Sequence, residues 1–176
     1  MSLPAKFDTT RLLAERLREE HRVEIHRMHR DPVQMATLGG VRSEMETDAY
    51  MTRNLEHWER YGFGVWMMRD RVDGRVTGRA LLRHLFVEGA DEIEVGYSFY
   101  PAYWGLGLAT EAAKACLELA RTSLDVTSVV AVTLPDNARS QRVLAKLGMV
   151  AGRRVEHGGL PHLLYRTTPA WKRGTP

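Results

Sequence analysis

Val95 to Ala113 reads VGYSFYPAYWGLGLATEAA. A strand-like alternation runs into a turn at Pro101, then into a loop spaced by Gly105 and Gly107, then into a strong helical stretch. Without side chains, the two glycines let the backbone approach a ligand closely. The helix behind them offers first-turn N–H groups with no partner inside the helix, backed by the positive end of its dipole. That arrangement suits a pyrophosphate. It is not a Walker loop, because no Gly-Lys-Ser/Thr follows. The Rossmann fingerprint fails too, because the third glycine is missing and the unit lies in the second half of the chain. Gly-Leu-Gly alone also fits a plain strand-to-helix turn, so the flanking chain has to narrow the choice.

Downstream, SVVAVTL (Ser128 to Leu134) is almost wholly apolar and reads as a central strand covered on both faces. Asp136 or Asn137 can cap a helix from Ala138 to Leu147, which Gly148 stops. Two short strands follow, near Val150 to His157 and Leu160 to Thr167, around Gly158-Gly159. Upstream, Glu92 to Tyr100 alternates with period two. Arg75 to Phe86 and Phe63 to Arg69 flank an Asp73-Gly74 turn and predict a hairpin. Ser43 and Glu46 have capping-box spacing before a helix marked by Met45, Ala49, Leu55 and Trp58. Val23, Ile25, Met28, Val33 and Met35 mark an earlier helical region, and Thr10 to Leu17 a first strand. The order predicts an α/β domain: a mixed sheet with helices on its faces. One domain is expected over 9–168, with a loose tail over 169–176.

The 176 residues suit one core, and 44% hydrophobic with 27% charged residues is an ordinary globular mixture. The pI of about 9.2 raises nucleic acid as a partner. The net charge is only +3, however, and the basic residues are scattered, so nucleic acid is not expected. A single cysteine, Cys116, excludes an internal disulfide and fits a reducing cytoplasm. No apolar run resembles a signal peptide or a membrane span, so a cytoplasmic location without membrane contact is expected.

Trp104-Gly105-Leu106-Gly107-Leu108-Ala109 resembles the coenzyme A motif of the GNAT acetyltransferases, Gln/Arg-x-x-Gly-x-Gly/Ala, with Trp104 departing from Gln/Arg. Asn137-Ala138-Arg139-Ser140 and Lys146-Leu147-Gly148-Met149 resemble the family's Asn-x-x-Ser and Lys-x-Gly-Phe, with Met149 for Phe. Thr10-Arg11-Leu12, Asp31-Pro32, Leu38-Gly39-Gly40 and the extended run through Thr110-Glu111-Ala112 are similar to the ribosomal-protein N-terminal acetyltransferase (RimJ/RimL-like) branch. The resemblance implies a mostly antiparallel twisted sheet, splayed at the cofactor site, with helices on both faces. It implies acetyl-coenzyme A as co-substrate, no metal, and direct transfer to an amine in a ternary complex. It leaves a homodimer open.

The same resemblance implies that backbone groups of Ser98, Phe99 and Tyr100 receive the pantetheine arm. The phosphates would meet Trp104, Gly105, Leu106, Gly107, Leu108, Ala109 and Thr110; Asn137, Ser140 and Lys146 form the second cofactor element. Glu94, in Glu94-Val95-Gly96-Tyr97, is the candidate base for the amine proton, with Glu92 on the same strand face as the alternative or as a surface carboxylate. The family's tyrosine acid is replaced by Leu144; Ser140 can bond the sulfur or the pantetheine instead, or stand as a helix-surface serine, and a thiol pKa of about 8.5 allows departure without an enzymic acid. The acceptor is open between a protein N-terminus and a small amine. A module that holds acyl-coenzyme A without transfer is the alternative.

Other residues have simpler readings. His21, His26 and His29 fit a solvated helix face, and Cys116 fits the core. Trp58, Trp66, Tyr61 and Tyr100 fit packing or an acceptor pocket. Glu44, Glu46 and Asp48 fit helix-dipole complementation or attraction of a cationic amine. His162 and Tyr165 are further residues that can reach the site.

Overall fold

The computed structural model describes residues 2–172. Eight described strands form one sheet: β1 (Lys6–Asp8), β2 (Leu12–Arg16), β3 (Val65–Asp70), β4 (Val76–Val87), β5 (Ala90–Phe99), β6 (Val130–Thr133), β7 (Val150–His157) and β8 (Leu160–Arg166). Their order across the sheet is β1-β2-β3-β4-β5-β6-β8-β7. Every pairing is antiparallel except β5 with β6. The helices are α1 (Arg22–Arg30), α2 (Pro32–Met35), α3 (Glu44–Tyr61), α4 (Leu108–Ser123), α5 (Ala138–Lys146) and α6 (Pro169–Lys172).

Strand alternation divides the core into two layers. Trp66, Met68, Ala80, Leu82, Ile93 and Val95 pack in one cluster with Leu108, Ala112, Cys116 and Leu117 of α4. Val65, Met67 and Leu81, one residue out of phase, pack in the other with Ile25 and Met28 of α1 and Tyr50 and Met51 of α3. Cys116 is fully buried, and burial pushes its thiol up to about 12.

Several expectations are corrected. The first strand is shorter than Thr10 to Leu17, and β1 precedes it. Leu3 is buried in the main core, so the packed fold begins before residue 9. Val23 and Met45, expected on core faces, are each 79% exposed, and Val33 is exposed too. Single hydrophobic residues on a solvent face are ordinary, and periodicity cannot separate them from core positions. The segment expected as a loose tail starts with α6. Its Trp171 packs against the main core, and Lys172 Nζ donates to the Leu124 carbonyl at 3.1 Å. Residues 173–176 lie outside the described residues.

The capping box at α3 forms as its spacing predicts. The Ser43 side chain accepts from Glu46 N at 3.2 Å, and Ser43 N donates back to Glu46 Oε2 at 2.8 Å. Ser43→Ala removes the cap and should lower stability by about 1 kcal/mol in urea denaturation. An unchanged midpoint would mean that packing alone sets this helix start.

Candidate functional site

β5 pairs with β4 along its whole length but touches β6 at one register position, Glu94 opposite Val130. Beyond Glu94 the two strands separate and a groove of about 660 Å³ opens. Tyr100 N donates to Thr77 O at 2.9 Å, which fixes the phase of the β4 ladder. Backbone groups alternate sides along a strand, so Gly96 and Ser98 face β4, whereas Val95, Tyr97 and Phe99 face the groove. Trp104 Nε1 already occupies the Phe99 carbonyl at 2.8 Å. Of the expected trio, Ser98 and Tyr100 therefore turn their backbone groups to β4, and Phe99 faces the groove with its carbonyl taken. Tyr100 also turns its hydroxyl to Glu24, away from the groove. Ser98 does line the groove, through a hydroxyl that accepts from Gln34 Nε2 at 2.9 Å.

Gly105 (φ 80°) and Gly107 (φ 81°) occupy left-handed backbone, where a side chain is strained. Gly107 is the N-cap of α4 and offers no side chain to its amides. The first amide bonded within the helix is Glu111 N, to Gly107 O at 3.1 Å, so those of Leu108, Ala109 and Thr110 have no helical partner. These residues, with Trp104, Gly105 and Gly107, line the groove. Leu106 does not; its side chain is exposed, and its carbonyl accepts from Arg11 Nη1 at 2.8 Å.

Glu111 anchors the loop from behind. It accepts from Thr9 Oγ1 at 2.6 Å and from Arg11 N and Nε, each at 2.7 Å. Burial pushes Glu111 up, but these bonds outweigh it and hold its carboxyl below the usual range. The Arg139 guanidinium lies 4.3 Å from the Trp104 ring centroid and covers the loop's other side.

Across the groove, Asn137 Oδ1 accepts from Ser140 N at 3.1 Å and caps α5. Asn137, Ser140 and the exposed Lys146 all line the groove. Leu144, at the place of the family's tyrosine, is buried in the main core. A phenol arrives instead from β5: Tyr97 Oη and Ser140 Oγ share a hydrogen bond at 3.0 Å. Burial pushes Tyr97 up to about 12 despite the bond to Ser140, so it is protonated at neutral pH. Sequence reading missed Tyr97. Its one local signal is its place in the Glu-Val-Gly-Tyr run, on the same strand face as Val95.

The other face of the sheet carries the charged groups. Glu94 is buried, and Arg83 Nε donates to its Oε2 at 2.6 Å. The negative charge of Glu94 raises Arg83 above its ordinary value. Glu92 instead makes a two-pronged pair with Arg166, at 2.6 and 3.1 Å, and does not line the groove. His157 and His162, from β7 and β8, line the groove with their rings 5.5 Å apart. Burial lowers His157 below its ordinary value, more than the nearby Glu94 charge raises it. Tyr165, by contrast, is buried in the main core.

The histidine face expected to be solvated is only partly so. His26 shares a hydrogen bond with Asp48 at 3.1 Å, but His21 and His29 are buried. The acidic cluster is taken up locally: Glu44 pairs with Arg30, Asp48 with Arg22, and Glu46 caps Ser43. Trp58 and Trp66 pack edge to face in the core, at 5.1 Å, and Tyr61 stacks on His84 at 4.2 Å. The aromatic rings of the groove are Tyr50, Tyr97, Phe99, Tyr103 and Trp104. Among the described residues, no group of three or more His, Cys, Asp or Glu is placed to hold a metal ion. No helix of the described residues is long and apolar enough to cross a membrane.

A splayed β5–β6 pair, with an uncapped helix start at its mouth, defines a groove suited to an acyl-coenzyme A. The family model for an acetyltransferase (GNAT) domain matches residues 11–150, and the chain belongs to that family. It is an acetyl-coenzyme A-dependent acetyltransferase. It is 28% identical over 135 residues to the uncharacterized protein YkkB of Bacillus subtilis (strain 168), covering 77% of this chain and 78% of that one. It is 30% identical over 111 residues to the uncharacterized N-acetyltransferase YnaD of the same organism, covering 62% of this chain and 61% of that one. An acetyltransferase from Agrobacterium tumefaciens superposes with a TM-score of 0.83 at 23% identity, over 96% of each chain. RimL, a ribosomal L7/L12 α-N-protein acetyltransferase solved with coenzyme A, superposes with a TM-score of 0.74 at 16% identity, over 94% of this chain and 97% of that one. At these identities the superpositions establish the shared fold.

Gly107→Asp would place a carboxylate at the mouth of the groove and strain the N-cap of α4. Coenzyme A binding should be lost while the thermal transition persists. Wild-type affinity in a calorimetric titration would remove the loop from the cofactor site.

Proposed function

We propose that the chain transfers acetyl from acetyl-coenzyme A directly to a primary amine, with both substrates bound at once. One observation carries this reading: a single groove passes through the splayed sheet, lined by free helix amides of α4 at one end and by Glu94, His157 and His162 on the other face. The acceptor amine belongs to a protein N-terminus or a small molecule.

The residues divide the work by position. Amides of Leu108, Ala109 and Thr110, with the Gly105 and Gly107 backbone, suit the pyrophosphate. Lys146 and Arg139 add positive charge nearby. Groove-facing backbone groups of Val95 and Tyr97 suit an extended amide arm laid along β5 as an added strand. Asn137 and Ser140 form its far wall. The thioester of the bound co-substrate supplies the acetyl group. The sulfur departs as a thiolate, which at a thiol pKa of about 8.5 needs no strong acid; the Ser140 hydroxyl donates a hydrogen bond to it, and the Tyr97 hydroxyl at 3.0 Å holds that serine in place.

The incoming amine must lose a proton. Glu94 takes it, directly or through a water, on Oε1, because Arg83 occupies Oε2. A second reading gives the proton to His157. It lines the same groove, and burial favours its neutral form at neutral pH.

Glu94→Gln should lower turnover by about 10²–10⁴-fold and leave coenzyme A affinity intact. The defect should shrink as pH rises and more amine is already neutral. Normal turnover in a folded Glu94→Gln protein sinks the assignment. If His157 is the base instead, kcat/KM of the wild type falls as pH drops through its lowered pKa. That limb then disappears in His157→Gln.

Ser140→Ala should slow single-turnover transfer and leave the fold unchanged, with Tyr97→Phe showing a smaller defect. Wild-type rates in both variants would return the pair to a packing role.

A further inference from the structure

The acceptor side of the groove holds two guanidinium groups with no carboxylate between them. Arg79 lies on β4, on the strand face of Leu81 and Arg83, which is the face turned away from α4. It is 6% exposed, yet its Nη1 is buried without a hydrogen-bond partner. Arg42, just before α3, reaches the same place. Their Cζ atoms lie 4.7 Å and 5.5 Å from the centroid of the Tyr50 ring. All three residues line the groove.

Among the described residues no carboxylate forms an ion pair with either guanidinium, although Glu46, lowered chiefly by its Ser43 hydrogen bonds, is lowered by the Arg42 charge as well. Arg42 Nη1 donates to His29 Nε2 at 3.4 Å, which leaves the His29 proton on Nδ1 for Thr47 Oγ1 at 3.0 Å. His29 is neutral: burial, then the charges of Arg79 and Arg42, push it down to about 2. The two carboxylates that line the groove are committed elsewhere, Glu94 to Arg83 and Glu46 to the Ser43 cap. A buried guanidinium without an anion is costly to maintain. Two more buried polar atoms of this wall lack partners, the Tyr50 hydroxyl and Gln34 Oε1. A donor hydroxyl beside a guanidinium suits a carboxylate, and a free amide oxygen suits an N–H of the same molecule.

We propose that the acetyl acceptor is a primary amine that also carries a carboxylate, held by Arg79 and Arg42 against Tyr50. The proposal rests on the acetyl-transfer reading above. The phosphates of the cofactor do not fulfil this role in that reading, because they meet α4 from the other face of the sheet. The acidic cluster of α3, which would favour a cationic acceptor, is consumed by its own surface partners.

The test compares free L-amino acids with their primary amides, and adds tetrapeptide amides beginning with Asp or Glu. Acetylation is read by mass spectrometry, and binding to the coenzyme A-loaded protein by calorimetry. Carboxylate-bearing amines should be preferred over their amides by about 10- to 100-fold in kcat/KM or affinity. Preference for the free amino acids puts the carboxylate on a small molecule; preference for the acidic peptides puts it on a side chain. Arg79→Met should erase the preference while coenzyme A affinity stays at the wild-type value. Arg79→Lys should restore part of it, and Arg42→Met tests the same wall if Arg79→Met does not fold. Amides handled as well as acids, or a preference that survives in folded Arg79→Met and Arg42→Met, would overturn the proposal. Acetylation of uncharged amines alone overturns it and leaves acetyl transfer standing. Carboxylate binding without any transfer supports the arginine wall and defeats the transfer reading.

Discussion

The separation of β5 from β6 is the constraint on which the groove depends. A strand edge carries N–H and C=O groups that must find partners. On its β4 side, β5 is paired from Ala90 to Phe99; on its β6 side it has the register pair at Glu94 and Val130. The fold treats the exposed edge in two ways. Near Phe99 it closes one carbonyl with the Trp104 indole, which also anchors the start of the glycine loop. Beyond the pair at Glu94 and Val130, at Tyr97, the groove-facing edge has no register partner on β6. Trp104 therefore does more than occupy the place of a family Gln or Arg. It joins the end of β5 to the turn before α4, and Arg139 covers its ring.

The loop is held with the same economy. Left-handed φ at Gly105 and Gly107 turns the chain so that the start of α4 faces the groove. The strain of such a turn has to be supported by neighbouring structure. Glu111, one turn into α4, is clamped by Thr9 and Arg11 from the segment between β1 and β2. The first residues of the sheet thus position a loop about a hundred residues away. Thr9 and Arg11 hold the loop from outside the groove, which leaves the first-turn amides free.

The parts of this site that were readable from sequence are those that local geometry dictates. EIEVGYSFY alternates because one face of β5 packs on α4, and the Gly-x-Gly spacing is legible because φ near 80° at Gly105 and Gly107 strains other residues. Ser43 and Glu46 are three apart, so their cap was visible too. Alternation alone does not reveal which side of a strand faces its partner, so the turn of Ser98 and Tyr100 toward β4 is not legible in sequence; that phase is set by the Tyr100–Thr77 pairing. Tyr97 and Ser140 are 43 residues apart and meet only once β5 and α5 flank the groove. Helical spacing predicts a solvated His29 because it does not show that Tyr50 and Thr47 of α3 cover it.

This difference follows from how the two halves of the groove are built. The cofactor half is made chiefly of backbone, and backbone geometry leaves its mark in glycine positions and helix starts within a short run of sequence. The half proposed for the acceptor is lined by side chains from α2, the loop before α3, α3, β4, β5 and the β7–β8 hairpin, none of which adjoin all the others in the chain. A guanidinium at position 79 has no meaning on its own in sequence. Its meaning comes from the Tyr50 ring, from Arg42 at the same ring and from the pairing of Glu94 with Arg83. Local backbone rules can therefore specify the acyl donor across a family while the acceptor changes with a few side chains on the opposite face of the sheet.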